Sequence, residues 1–270
     1  MPLQAHLSAV ADPARRQAFE TDGIVRVPAV LGGDELRAMR DHVAAIVAAG
    51  ALELVDLVGA RRPGPGTEAI LWDIGRAPAF APLAPALARA VDDVFGPGVW
   101  APIDGGLAAP NLPGHAAPWT VPHAAWHVDE PTVAGQVAGW ALLGFAFLDT
   151  VEPGGGATVA IAGSHRRLAI VAAERAAAGA ATVLTTDDAL AELRREPWFA
   201  ALLTVGEPAD RRRRFMAEPY VSAGIPLRVV ELTGEPGDVV LMDPRCLHTI
   251  SANASPRARL TMRITCGRLT

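Results

Sequence analysis

A mainly β fold of the α+β kind, a sandwich or barrel with helices set around it, is what this sequence predicts, on three observations. From Val99 onward the apolar residues come in short runs cut by turn residues, the spacing of strands in a sandwich or barrel. The first hundred residues instead repeat apolar positions at three- and four-residue steps, the period of helices packed on one face. No Ser/Gly linker or long charge run divides the 270 residues, so 1–270 reads as one domain. Within it, 1–98 is a mainly helical flank and 99–270 a β core, with a helical insertion at about 166–220.

The elements follow in order. Leu36, Met39, Val43 and Ile46 line one side of a helix that ends near Gly50. Phe80, Leu83, Leu87, Val91 and Val94 line a second, which stops at Gly96-Pro97. Between them, 61–66 reads as a Pro/Gly loop and Ile70-Leu71-Trp72 as a short strand. Strands are then expected at 99–103, 124–128, 137–148, 157–161, 227–232, 239–242 and 260–265. Turn signals separate them at Pro153-Gly154-Gly155-Gly156, Ala162-Gly163-Ser164 and Glu235-Pro236-Gly237-Asp238. Helices at 168–181 and 187–195 interrupt the series; the second carries acidic residues in its first turn and arginines in its last, which suits the helix dipole. An insertion of this kind is placed to act as a lid.

Composition narrows the function classes. With half its residues hydrophobic, the chain can bury a large core. A net charge of −5 gives no footprint for nucleic acid. All 24 basic residues are arginine, which excludes lysine-dependent chemistry such as Schiff-base catalysis or a P-loop. Two cysteines make no disulfide framework and suit a reducing cytoplasm. The start lacks a basic segment followed by an apolar one, and the apolar runs break well short of the ~20 residues a membrane helix needs. A cytoplasmic protein acting on a small molecule, with no membrane or nucleic-acid partner, is the expectation.

The chemistry centres on His127-Val128-Asp129. In a strand, positions 127 and 129 point the same way. Two imidazoles and a carboxylate can hold a divalent metal on one triangular face and leave the other open, as suits non-haem Fe(II) used with O2. His248 is the candidate for the second imidazole, on a strand folded alongside. Arg259-Leu260-Thr261 puts a guanidinium and a hydroxyl on one strand face, a pair able to grip one end of a dicarboxylate whose other end chelates the metal.

Simpler readings compete at each position. His127 and Asp129 could be a structural hydrogen-bonded pair, and Thr261 could serve strand packing. Arg257 and Arg263 share the strand parity of Arg259, though spacing favours Arg259. His165 reads as structural and Cys246 as a small buried residue. Trp119, Trp126 and Trp140 could line a substrate pocket, but core packing is the safer assignment for most of them. The run Arg211 to Arg214 reads as a solvated loop ahead of an anion site. His115 and His123 receive no role.

Taken together, the chain resembles the phytanoyl-CoA dioxygenase family of Fe(II)/2-oxoglutarate oxygenases. The resemblance rests on Phe19-Glu20-Thr21-Asp22-Gly23, the Asp34-Glu35-Leu36 helix start, Trp126-His127-Val128-Asp129, Gly155-Gly156-Ala157-Thr158 to Gly163-Ser164-His165-Arg166, Pro236-Gly237-Asp238, His248 and Arg259. It implies a double-stranded β-helix (jelly roll, cupin-like) core with N-terminal and inserted helices packed around it. It also implies His127, Asp129 and His248 as iron ligands, Arg259 as anchor for the far carboxylate of 2-oxoglutarate, and O2 as oxidant. Halogenating relatives carry a small residue in place of the carboxylate ligand; with Asp129 present, hydroxylation of a C–H bond is the expected outcome, with release of succinate and CO2. Two rival functions stay open: a cupin-like Zn or Mn hydrolase or isomerase without 2-oxoglutarate, and a non-catalytic jelly-roll binding protein. Arg259 with Thr261 separates the first of these from the oxygenase, since it would not need them.

Overall fold

Side-chain alternation along two facing antiparallel sheets decides what lies between them. The computed structural model describes residues 12–49, 74–103, 106–114, 118–136 and 138–269. The loop expected at 61–66, the strand at Ile70-Leu71-Trp72, and His115 lie outside the described residues.

The flank begins with α1 (Pro13–Asp22), capped by the Asp12 carboxylate on the N–H groups of Ala14 and Arg15. A strand not anticipated, β1 (Ile24–Val27), precedes α2 (Gly33–Ala48), and α3 (Leu83–Phe95) follows. The core comprises β2 (Trp100–Pro102), β3 (Leu107–Ala108), β4 (Thr132–Val133), β5 (Ala141–Phe147) and β6 (Thr158–Ala162). After the insertion, which contains α4 (Ser164–Ala177), β7 (Val183–Leu184), α5 (Thr186–Leu193), α6 (Pro197–Leu202) and α7 (Pro208–Arg212), it resumes. It closes with β8 (Tyr220–Ser222), β9 (Ile225–Glu231), β10 (Val239–Met242), β11 (His248–Ile250) and β12 (Thr261–Arg268).

The larger sheet runs β1-β10-β5-β12-β2, with β3 also on β12; the smaller runs β11-β6-β9-β8, and β4 and β7 form a separate two-stranded pair. This is the jelly roll, with the chain crossing between sheets. Leu143, Phe145 and Phe147 of β5 and Val240 and Met242 of β10 point inward, against Ala160 of the smaller sheet. Their neighbours Leu142, Ala146, Val239 and Leu241, with Met262 and Ile264 of β12, point outward and bury Met39, Val43, Leu87 and Val91 of the flanking helices. The predicted helix faces are therefore the contacts made. Because 262 and 264 face outward, Thr261 and Arg263 face the space between the sheets.

The insertion covers the outer face of the smaller sheet. Val159, Ile161, Leu227 and Val229 meet Leu168, Leu193, Trp198, Phe199 and Phe215 there, each buried ring contributing roughly 2–3 kcal/mol. It buttresses that sheet. Among the described residues no helix is long and apolar enough to cross a membrane.

One expected strand does not form. Residues 124–128 make a single bridge, His127 to His248, because Ala125 adopts a left-handed φ of 59° that breaks the extended run. The Arg211 to Arg214 segment is no loop either: α7 passes into a π-helical turn, Arg213–Ala217, and Arg211 is buried while its three neighbours are exposed. Trp126 joins the insertion core as expected, but Trp140 is 62% exposed, held through its backbone N–H on the buried Glu130 carboxylate at 3.0 Å.

Candidate metal centre

His127 and His248 come from segments far apart in sequence and are joined by a two-way backbone exchange. The His127 N–H donates to the His248 carbonyl and the His248 N–H to the His127 carbonyl, both at 2.9 Å. The imidazoles lie side by side, ring centroids 4.3 Å apart. His248 opens β11, which pairs with β6 at Ala160.

Each ring is oriented by the carbonyl two residues before it. Nδ1 of His127 meets the Ala125 carbonyl and Nδ1 of His248 the Cys246 carbonyl, each at 2.9 Å. A carbonyl only accepts, so the ring proton sits on Nδ1 and the Nε2 lone pair is left free. The left-handed Ala125 turns its carbonyl to this task, and such strain is characteristic of functional sites. Burial, reinforced by the neighbouring His248, lowers the His127 pKa and so favours the neutral, ligating form.

Asp129 completes the triangle. Its N–H donates to the Pro244 carbonyl at 2.9 Å. Its carboxylate oxygens lie 3.8 Å from His127 Nε2 and 3.5 Å from His248 Nε2. Burial pushes this carboxyl up, but contact with His248 and the Arg263 guanidinium, with His127 alongside, outweighs it and holds it down at about 2. The three donor atoms lie within 4.8 Å of one another. Donors about 2.0–2.2 Å from one metal sit about 3 Å apart when adjacent, so small side-chain adjustments close this set on an ion. Two neutral imidazoles and one ionised carboxylate fit a divalent metal with an open face.

Arg259 and Thr261 line the same cavity as both histidines, together with Thr158, Phe145 and Ile250. Arg259 is 3% exposed, and its Nη2 donates to the Ala109 carbonyl at 2.9 Å. Thr261 Oγ1 is buried with no hydrogen-bond partner among the described residues. A buried cation beside an unsatisfied hydroxyl fits a bound carboxylate.

The other arginines of that parity separate. Arg257 is exposed and faces Glu152 at 3.6 Å, outside the cavity; Arg263 lines the cavity, its Nη2 2.6 Å from Asp129 Oδ2. His165 is no part of the cluster: its Nδ1 lies 3.6 Å from Cys246 Sγ and its Nε2 3.3 Å from the Glu20 carbonyl. Cys246 is fully buried there, its thiol pKa pushed up by burial. None of Trp119, Trp126 and Trp140 lines the cavity.

Three contributors were missed in the sequence. Thr186, on α5, holds Val128 between the two donors of the triplet. Arg211 donates to the carbonyls of Val121, Pro122, Ala201, Leu202 and Thr204, tying the approach to His127 onto the insertion. Gly156 (φ +77°) lets Asn111 and Asn253 close over the strand entry; a Cβ there would fall 2.7 Å from each. Only the Gly-rich run gave a signal for any of them.

A jelly roll with two imidazoles and a carboxylate facing a buried arginine defines the cupin-like metal-site class. Residues 19–261 match the model of the family phytanoyl-CoA dioxygenase, and the chain belongs to that family. Solved structures share the fold. AviO1 of Streptomyces viridochromogenes Tue57 is 21% identical with a TM-score of 0.57, covering 96% of each chain. The epimerase SnoN, solved with Fe3+, alpha ketoglutarate and nogalamycin RO, is 18% identical with a TM-score of 0.55, covering 95% of this chain and 84% of its own. HygX of Streptomyces hygroscopicus, solved with nickel and 2-oxoglutarate, is 16% identical with a TM-score of 0.56, covering 96% and 87%. No curated protein sequence matches.

Proposed function

We propose that the chain is a non-haem Fe(II)/2-oxoglutarate-dependent oxygenase that hydroxylates an unactivated C–H bond of a small organic molecule. His127, Asp129 and His248 hold the metal, and Arg259 with Thr261 holds the far carboxylate of the cosubstrate. The observation that carries this reading is the pair of Nδ1-to-carbonyl bonds, which leaves two Nε2 lone pairs aimed beside one ionised carboxylate. Bound iron with 2-oxoglutarate and O2 supplies the oxidising power, the cosubstrate leaving as succinate and CO2.

The residues do the positioning. Arg259 offers a fixed guanidinium fork and Thr261 a hydroxyl to one end of the dicarboxylate, which aims its other end at the metal face. Leu107, Phe145 and Ile250 supply apolar walls that exclude water. Asp129 fills the position a halide would need, which favours hydroxylation over halogenation. The family membership and the ligands named for SnoN and HygX support the cofactor choice; nogalamycin RO in SnoN supports a natural-product or metabolite scaffold as substrate. A Zn or Mn hydrolase or isomerase would not need a dicarboxylate anchor such as Arg259 with Thr261.

Anaerobic addition of Fe(II) and 2-oxoglutarate to the apo-protein tests the reading. A visible metal-to-ligand charge-transfer band is expected, absent in Asp129→Ala and weakened in Arg259→Ala. Intact protein without a band overturns it. Succinate release stimulated by members of a compound panel then identifies the substrate class.

A further inference from the structure

The two histidines and the aspartate do not hold their orientation in the same way. Each imidazole is fixed by a carbonyl of its own segment. The Asp129 carboxylate accepts no backbone N–H among the described residues, and the backbone that bears it is a bend with no strand lattice to aim it. What it has is Arg263, whose Nη2 lies 2.6 Å from Oδ2, a short charge-assisted contact.

Arg263 is well placed to aim a partner. It sits inside β12 with paired strands on both sides, opposite Phe145 of β5 and Leu107 of β3. Its Cα is therefore fixed by two ladders, and its side chain is 32% exposed toward the cavity. Arg259 cannot substitute, being four strand residues, or about 13 Å, further along the same face. The guanidinium engages Oδ2, which also lies 3.5 Å from His248 Nε2, while Oδ1 lies 3.8 Å from His127 Nε2.

Resting on the metal reading above, we propose that Arg263 is a positioning residue of the metal centre. It occupies one oxygen of Asp129, so that the carboxylate offers the other and binds through a single atom, keeping the face opposite the three protein donors open for cosubstrate and O2. A carboxylate released from Arg263 is free to turn away from the two imidazoles, and the donor set loses its aim. Ligand-orienting partners of this kind typically change metal affinity by about 10- to 100-fold.

A guanidinium near a cation also repels it, and the experiment separates the two effects by sign. Ni2+ binding is measured by calorimetry, without O2 chemistry, in the wild type, Arg263→Met, Asp129→Ala and the double variant. Arg263→Met is expected to weaken Ni2+ binding about tenfold when Asp129 is present. In the Asp129→Ala background the same change is expected to leave binding equal or tighter, because only the repulsion is removed. Arg263→Lys, which keeps the charge but not the fork, is expected to fall between wild type and Met and stands in should the Met variant not fold. Tighter binding in both backgrounds makes Arg263 a bare counter-charge and overturns the proposal. Unchanged Ni2+ affinity with only a raised substrate KM makes it a substrate anchor and also overturns it. A wild type that binds no Ni2+ brings down the metal reading itself, a result distinct from either.

Discussion

Thr186 satisfies both backbone groups of Val128: its Oγ1 accepts the Val128 N–H at 3.1 Å and lies 3.5 Å from the Val128 carbonyl, to which the hydroxyl donates. One side chain of the insertion thus takes the part of a missing strand partner for the residue between His127 and Asp129. Thr186→Val strands these two groups in a part-buried place, at a cost of about 1–3 kcal/mol, and loosens metal binding several-fold. Thr186→Ser restores both. Urea midpoints and Ni2+ titrations on the two variants check this; equal loss in Ser and Val removes the hydroxyl from the explanation.

Arg211 ties the insertion to the segment leading to His127 through the Val121 and Pro122 carbonyls. Arg211→Met leaves its carbonyl partners to compete for water in a buried place, and a loss of about 3 kcal/mol or more is expected. Arg211→Lys recovers little, since three donors on a point charge do not span a planar fork. Chemical denaturation measures both, and a Met variant within about 0.5 kcal/mol of wild type contradicts the structural role.

Thr261→Val is expected to act in opposite directions on stability and on binding. Oγ1 is buried without a partner among the described residues, so removing it is expected to be neutral or to stabilise by up to about 1 kcal/mol. With 2-oxoglutarate the same change removes a hydrogen bond to a charged group and weakens binding about tenfold. Thermal melts with and without the cosubstrate read both numbers from one sample.

Glu196 sets an acid-side dependence. Burial raises its pKa, but hydrogen bonds from Ser222, Tyr220 and Arg167 outweigh this and hold it below the usual glutamate range. A group depressed in the folded state contributes stability above its unfolded pKa and loses it as pH falls through the folded one. Stability of the wild type is therefore expected to decline below about pH 4.5, and Glu196→Gln to show less of that decline. Melting temperatures from pH 3 to pH 7 give the comparison; parallel curves for the two proteins rule Glu196 out.

The candidate residues were legible in the sequence because their chemistry is rare in combination: the structure brings Asp129 beside the imidazoles of His127 and His248, and His127, His248, Arg259 and Thr261 line one cavity. The helix faces of α2 and α3 were legible from period alone. What stayed hidden depends on single backbone angles or distant partners. The 124–128 run has strand composition, and only the left-handed Ala125 undoes it. Arg211 sits beside three exposed arginines, and residue type does not say which of the four turns inward. Arg263 shared the parity of Arg259, but its partner Asp129 lies in a segment whose path no local pattern fixes.

The His127–His248 bridge is isolated, with no ladder extending it on the His127 side. Parting His127 from His248 therefore breaks two backbone hydrogen bonds and no strand ladder. If that pair holds the ion, its exchange with solution is expected to be uncoupled from unfolding: a chelator would empty the centre on the timescale of a local opening while the jelly roll around it persists.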